Sequence, residues 1–388
     1  MNRSKNNLDK RDALNTMLKT FKYRLRPTHK QATVLGTTLQ ECRWLYNHFL
    51  EERKNAWEQE QKSLGYYQQA IKLPILKNER EALECVYSQV LQNVAVRIDL
   101  AFKAFFRRAK AGEKPGYPRF RGRDRYNSIT YPQSGWRVDE RGLHLSKIGC
   151  VRMVRHRELE GTPKTVTISR TSTGKWFAAI SCEIESTPSL ASNEMVGIDV
   201  GLASFATLST GDKIPNPRFF RTDEKALAKA QRRMSKEEKG TPERKNRRKP
   251  VARIHERISN RRNDFAHQAS RKLVNRFGII AVEDLNVNRM VHNHCLAKSI
   301  SDAAWTQFTQ CLSYKAEYAG RKVVFVNPAY TSQDCSACGH RVPKNLSDRI
   351  HRCPCCGLVM DRDENAANNI LALGLQSLGL SKEAVRFS

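Results

Sequence analysis

Four cysteines in two matched pairs carry the most specific chemistry in the chain. Cys335-x-x-Cys338 is followed, after 14 intervening residues, by Cys353-x-x-Cys356, and a glycine stands directly behind each pair, Gly339 and Gly357. Two tight turns of this kind present four thiolates to one Zn2+, which takes a closed tetrahedral shell in structural sites. Cys355 is a fifth thiol inside the second turn, and His340 and His351 are neighbouring alternates. The x-x spacing and the following glycine favour Cys353. Two pairs satisfy one metal completely, which argues against a redox dithiol. The remaining cysteines (Cys42, Cys85, Cys150, Cys182, Cys295 and Cys311) are scattered and read as small buried hydrophobes.

The carboxylates are the second signal, because they stand in apolar surroundings. Asp199 lies inside Val196-Gly197-Ile198-Asp199-Val200-Gly201, Glu283 and Asp284 end the run Ile279-Ile280-Ala281-Val282, and Asp361 and Asp363 begin the pattern DRDENAANNI. A buried, unpaired carboxylate is costly. Three that converge can be stabilised by hard divalent cations, Mg2+ or Mn2+. Two such ions about 4 Å apart polarise a phosphodiester and activate water against it. The bland alternatives are a helix cap near Asp363 and a turn at Glu283-Asp284; Asp199 has none as easy. The order, an Asp strand, a Glu strand and a late Asp helix, says more than any member alone.

Those acids sit in a very basic chain. Its 388 residues hold 68 Lys+Arg against 39 Asp+Glu, a net charge of +29. A polyanion is therefore the expected partner, nucleic acid first and an anionic membrane surface second. No apolar run approaches the roughly 20 residues that span a bilayer. Met1 to Arg11 is polar with no apolar core behind it, so secretion is not expected, and a reducing, cytoplasmic setting keeps the cysteines as thiols or metal ligands. The length suits two or three domains, and 15 Phe, 11 Tyr and 5 Trp exclude a wholly disordered chain.

The elements that must position these groups can be outlined from periodicity. Phe21, Tyr23 and Leu25 alternate on an isolated strand that ends at Pro27. Helices are expected over about 31–61 and 79–111, the second with a stripe of Val90, Val94, Ile98, Phe102 and Phe105. After the Gly/Pro-rich stretch 112–120 the period becomes two. Strands at 128–131, 142–145, 150–154, 164–169 and 176–183 could close a small β-barrel with the strand at Phe21, the two helices being inserted into it. Residues 186–193 read as a linker. Beyond it come strands at 195–200 and 202–208, helices at 224–239 and 251–277, a strand at 279–282, a helix at 300–319, a strand at 321–326 and a last helix from about Asp363. The stretch Arg218 to Arg276 carries 20 Lys/Arg against 7 Asp/Glu, a net of +13 that would repel itself without a polyanion.

Several segments together make the chain resemble the TnpB family, transposon-encoded RNA-guided DNA endonucleases related to type V CRISPR effectors. They are FKYRLRP, RWLYNHFL at Arg43–Leu50, GYPRFR at Gly116–Arg121, GIDVG, RRNDFAH at Arg261–His267, VEDL at Val282–Leu285, SISDAAW at Ser299–Trp305, the CxxCG pairs and DRDENAANNI, covering nearly everything from about Leu18. The resemblance implies a multidomain α+β protein. A wedge, OB-like β-barrel (1–30 and 112–192) would carry a helical recognition insert (31–111). A RuvC-like, RNase H-fold nuclease domain (193–330 and 360–388) would carry an inserted zinc ribbon (331–359). It selects Asp199, Glu283 and Asp363 as the catalytic Mg2+ or Mn2+ ligands, over Asp284 and Asp361, and Cys335, Cys338, Cys353 and Cys356 as ligands of a structural Zn2+. It implies a guide RNA from the transposon end, a double-stranded DNA target read next to a short adjacent motif, and a prokaryotic protein acting at the nucleoid. Tyr66 and Gln92 would touch the adjacent motif, and basic residues such as Arg247, Arg248, Arg261 and Arg262 would track phosphates. Two other readings are a guide-bound DNA-binding repressor without cleavage, which would have lost the acids, and a zinc-ribbon transposition accessory protein, which leaves the barrel and helices unexplained.

Overall fold

The computed structural model describes residues 16–185, 192–345 and 348–380. The chain divides into two compact units between Ser186 and Thr187. The first fifteen residues of the expected tail and most of the linker at 186–193 lie outside the described residues.

The first unit opens with β1 (Thr16–Arg26), whose inward residues Phe21, Tyr23 and Leu25 are fully buried. Pro27 ends it. Thr28 then starts α1 (His29–Glu60) through reciprocal bonds: the Thr28 hydroxyl accepts the Gln31 N–H, and the Gln31 side chain accepts that of Thr28. Next come α2 (Tyr66–Ala70), α3 (Leu73–Glu79) and α4 (Ser88–Lys110). A single helix over 79–111 was the expectation, but the chain makes a 3-10 turn at Glu81–Leu83 and begins α4 only at Ser88. Tertiary contacts break it. Arg80 is extended to pair with Glu41 and lie over the Trp44 ring, while Leu83 and Val86 are driven into the core.

Six further strands complete this unit: β2 (Ser128–Tyr131), β3 (Trp136–Asp139), β4 (Gly142–Leu145), β5 (Gly149–Val154), β6 (Thr162–Arg170) and β7 (Trp176–Glu185). With β1 they form one antiparallel sheet in the order β2-β6-β7-β1-β5-β4-β3. Its two edges, β2 and β3, are consecutive in the chain and only four residues apart, so the sheet curls into a nearly closed barrel. The short strand β3, only four residues long although Trp136 and Val138 alternate with Arg137 and Asp139, was not anticipated.

The second unit is built on β8 (Met195–Val200), β9 (Ser204–Leu208) and β10 (Lys213–Pro215), followed by α5 (Phe219–Ser235), α6 (Pro242–Arg276) and β11 (Ile279–Glu283). Then follow α7 (Val287–Met290), α8 (Ala297–Ala303), α9 (Trp305–Tyr318) and β12 (Lys322–Val326), the short pair β13 (Ile350–Arg352) and β14 (Val359–Asp361), and α10 (Arg362–Ser377). The main sheet has the order β10-β9-β8-β11-β12. Its first three strands are antiparallel, and β8, β11 and β12 run parallel. Buried on both faces, β8 and β11 read as near-continuous apolar runs.

Three boundaries differ from expectation because of distant partners. The helix expected at 300–319 is broken at Ala304, whose φ of 56° is left-handed. There Asp302 turns inward to accept the N–H groups of Phe220 and Arg221, which starts α5 at Phe219 rather than 224. The start of α6 moves back to Pro242 because Thr241 caps it and Arg244 reaches the Met234 and Glu237 carbonyls at the end of α5. Among the described residues, no helix is long and apolar enough to cross a membrane.

Candidate active site

The parallel ladder between β8 and β11 aligns Ala281 with Gly197 and Val282 with Ile198, so the next residues on each strand are Glu283 and Asp199. Both lie at the carboxyl ends of central strands, on one edge of the sheet. Strand alternation sends Val196, Ile198 and Val200 to one face, and Gly197 and Asp199 to the other. On that second face lies α10. A Cβ on Gly197 would stand 1.9 Å from the Ala367 carbonyl oxygen, and one on Gly374 would stand 2.6 Å from the Ala281 Cβ. Only glycine at these two contacts lets helix and sheet approach so closely.

That contact sets the register of the third carboxylate. Asp363 precedes Ala367 by four residues, about 6 Å along a helix, while Asp199 follows Gly197 by two residues, about 6.6 Å along a strand. With the helix running against the strand, the two carboxylates are brought to the same end. Their mutual effect is explicit: burial first, then the charges of Glu283 and Asp363, raise the Asp199 carboxyl well above the ordinary range, opposed by Arg362. Glu283, itself buried, is also pushed up by burial and eased down by the Thr331 hydroxyl, 2.6 Å from its Oε1.

The neighbouring acids have other duties. Asp361, not Asp363, caps α10: its Oδ1 accepts the N–H groups of Asp363 and Glu364, and its Oδ2 meets Lys213 Nζ at 2.7 Å. Asp284 points outward and is exposed. The Asp363 carboxylate faces the centre and is gripped by the Arg362 guanidinium at 3.0 Å. An all-oxygen set of this kind, with Asp199 and Glu283 desolvated and Asp199 feeling the charge of both neighbours, suits hard divalent cations.

Next to it, the Cys335, Cys338, Cys353 and Cys356 sulfurs all lie within 4.8 Å of one another, with Cys335 to Cys356 at 3.6 Å and Cys338 to Cys353 at 3.5 Å. A zinc ion with Zn–S bonds of about 2.3 Å sets sulfurs about 3.8 Å apart, so the donor set and its geometry fit zinc. The two turns are equivalent. Gly339 and Gly357 both take a positive φ and return their N–H to the Cys335 and Cys353 carbonyls. The N–H groups of Cys356 and Cys355 hold the Cys353 thiol down to about 6. Cys355 is exposed and outside the cluster; His351 is outside it too, but fully buried, with its Nδ1 bonded to Lys344.

The basic positions singled out from sequence meet a different fate. Arg262 pairs with buried Asp302 at 2.9 Å and Arg261 lies 3.5 Å from Asp223, which Arg257 holds at 2.5 Å. These arginines tie α6 to α8 and α5. Arg247 lies 3.4 Å from Glu237; Arg248 is exposed on α6. In the first unit Tyr66 is half-buried against the core and edge-on to Tyr67 at 5.2 Å, whereas Gln92 is exposed on α4.

Sequence reasoning passed over Thr331, Asn365, Asn369 and Gly197. The repeat of Asn at 365 and 369 inside DENAANNI, one helical turn apart, was the available signal. A further group in the first unit, Asp139, His144 and Cys150, also brings donor atoms together. Within it Asp139 lies 2.7 Å from His144 and accepts the N–H groups of Arg141 and Gly142, with Arg137 beside it.

Comparison with known proteins bears on the same segments. The OrfB_IS605 family model, described as "Probable transposase", matches residues 179–294, and a Cas12f1-like TNB domain model matches residues 305–370. A model described as a helix-turn-helix domain matches residues 17–62; here those residues form β1 and the single helix α1. A protein of Streptomyces pristinaespiralis, named as a candidate RNA-guided DNA endonuclease, is 40% identical over 365 residues, 92% of this chain and 89% of its own. InsQ of Escherichia coli K12, named likewise, is 34% identical over 378 residues, 92% of each. Among solved structures, Cas12f1 in a complex with single-guide RNA and target DNA superposes with a TM-score of 0.58 at 14% identity, covering 92% of this chain and 99% of that one. That likeness concerns the fold. With relatives of this identity matched over nearly their whole length, the chain belongs to the TnpB family, whose OrfB_IS605 and Cas12f1-like segments it carries in order.

Proposed function

We propose that the chain is an RNA-guided DNA endonuclease, cutting double-stranded DNA matched to a guide RNA transcribed from a transposon end. The second unit is read as a RuvC-like, RNase H-fold nuclease domain with an inserted zinc ribbon, and the barrel and helices of the first unit as wedge and recognition parts. The observation that carries this reading is that Glu283 and Asp363 stand close enough to Asp199 for their charges, added to its burial, to raise its carboxyl well above the ordinary range inside a chain of net charge +29.

Asp199, Glu283 and Asp363 would hold divalent cations of the Mg2+ or Mn2+ type. Such ions, when bound, polarise the scissile phosphate and lower the pKa of an attacking water. The chain supplies the rest. Close packing of α10 on β8 fixes Asp363 relative to Asp199. The Thr331 hydroxyl orients Glu283, and Arg362 orients Asp363. Exposed Lys and Arg of α5 and α6 attract the phosphate backbones without reading sequence.

The test is Asp199→Ala in the full chain purified with its RNA. Cleavage of a guide-matched plasmid should be abolished while RNA and DNA binding persist; undiminished cutting would put the centre elsewhere. Sequencing the copurified RNA should give one discrete species, and random cellular RNA would sink the guided reading.

A further inference from the structure

The carboxylate centre and the cysteine cluster are joined by side chains of one short segment and one helix face. Thr331, 4% exposed, follows β12 and precedes the first cysteine pair. Its hydroxyl meets Glu283 Oε1 at 2.6 Å, and its carbonyl accepts Asn369 Nδ2 at 2.8 Å. Asn369 Nδ2 also donates to the Asp334 carbonyl at 2.6 Å. Asn365, fully buried one turn earlier on α10, grips the peptides on both sides of Cys335: its Nδ2 donates to the Asp334 carbonyl at 2.8 Å, and its Oδ1 accepts the Ser336 N–H at 2.9 Å. Asn365 lies only two residues beyond Asp363.

An asparagine in a helix interior has no intrinsic advantage there. Two of them, Asn365 fully buried and Asn369 half-buried, spending their amides on the backbone around one cysteine therefore need a reason. The arrangement is a clamp: α10 carries Asp363 at its start, holds Cys335 and its neighbours through Asn365 and Asn369, and through the same neighbours holds the threonine that orients Glu283. We propose that Thr331 is a positioning residue for Glu283, held in place by Asn365 and Asn369, so that the cysteine cluster and the carboxylate centre form one mechanical unit. This rests on the reading of Asp199, Glu283 and Asp363 as cation ligands, and it adds a residue outside that set whose work is done through Glu283.

Thr331→Val keeps the shape and removes the hydroxyl; Thr331→Ser restores it. Groups that orient a metal-ligating carboxylate typically contribute 10–100-fold to affinity or activity. In the full chain, Thr331→Val should bind Mn2+ about tenfold more weakly by calorimetry and cut about 10–100-fold more slowly at saturating guide RNA and target. RNA and DNA affinities should stay within about twofold, and Thr331→Ser should recover most of both losses. Asn369→Ala, which touches neither carboxylate, should weaken Mn2+ binding in the same direction. Wild-type Mn2+ affinity in Thr331→Val, or a Thr331→Ser variant as impaired as Thr331→Val, overturns the positioning role. Wild-type affinity in Asn369→Ala overturns its coupling to the cluster. Asp199→Ala measured alongside separates the two levels: if it still binds Mn2+ and cuts, the centre itself is misassigned, whereas loss of both with a normal Thr331→Val condemns only this inference.

Discussion

Replacing Gly197 with alanine would drive a methyl group into the backbone of the helix that carries Asp363. The added carbon would stand 1.9 Å from the Ala367 carbonyl oxygen and 2.7 Å from the Leu371 nitrogen. An unstrained carbon-to-oxygen contact is about 3.3 Å or more, so helix and strand must part by roughly 1.4 Å at that point. The obstacle is main chain, and no rotamer change relieves it. Because α10 moves as a rigid rod, its first turn moves with it, and Asp363 leaves its register with Asp199 and Glu283.

A misplacement of about 1 Å at a reacting centre can cost about 100-fold in rate, equivalent to about 2.7 kcal/mol of barrier. Overpacking of this kind also lowers stability by about 1–3 kcal/mol. The assay is single-turnover cleavage of a guide-matched plasmid, beside guide RNA affinity and a denaturant midpoint. The expected result is cleavage reduced about 100-fold or more with RNA affinity retained. Gly36→Ala serves as the control. Gly36 lies inside α1 with nothing within 4 Å of its would-be Cβ, so alanine there should be neutral or stabilise by up to about 1 kcal/mol. A Gly197→Ala protein that folds and cuts at the normal rate would refute the claim that close packing of α10 on β8 sets the centre.

Three further outcomes follow from the same geometry. Burial and the nearby Glu283 and Asp363 raise the folded-state value of Asp199, so the folded chain retains a proton that the unfolded chain releases, and stability falls as pH rises from the ordinary carboxyl range, about 3.9, through the raised value. In buffer without added divalent cations, Asp199→Asn should therefore raise the denaturant midpoint at neutral pH, with the gain fading toward pH of about 4; a gain independent of pH would contradict the argument. Arg262→Gln strips buried Asp302 of its cation and should cost about 3 kcal/mol of stability while leaving the salt dependence of RNA binding unchanged. A salt slope shallower by about one unit would make Arg262 a phosphate contact after all. Metal analysis should find one zinc per chain, lost in Cys353→Ser and kept in Cys355→Ser, and the reverse pattern would reassign the fourth ligand.

What could be read from the sequence was what local pattern determines. The strand of Asp199 was legible to its ends because an unbroken apolar run around a lone acid has few other uses, and Met195–Val200 is the strand observed. The four cysteines were legible because turn geometry confines their spacing to a few residues. The parts that escaped depend on partners far along the chain. Nothing in the local pattern near Ala304 announces a break, since its cause is Asp302 turning to cap a helix that begins more than 80 residues earlier. The pairing of Arg261 with Asp223 and of Arg262 with Asp302 could not be read from sequence, because those partners lie about 40 residues away along the chain. Local pattern left Asp361 and Asp363 open and the family resemblance picked Asp363; what only the structure adds is that Asp361 is the carboxylate that caps the helix.

The centre also poses a problem of assembly that its surroundings answer. Three carboxylates brought together repel, and the guidance cannot come from their own electrostatics, which favour separation until cations arrive. The attachment of α10 must therefore hold by packing and neutral hydrogen bonds. Gly197 and Gly374 remove the side chains that would keep helix and sheet apart, Ala367 and Ile370 are fully buried in the gap, and Asn365 and Asn369 secure the helix to the cysteine turn with uncharged amides. Charge enters among the described residues through Arg362, which pairs with Asp363 and also opposes the rise at Asp199, and through Lys213, which pairs with Asp361. A scaffold held this way keeps its geometry with the acids ionised or protonated. It would hold Asp199, Glu283 and Asp363 at one end of the sheet for a cation to draw together.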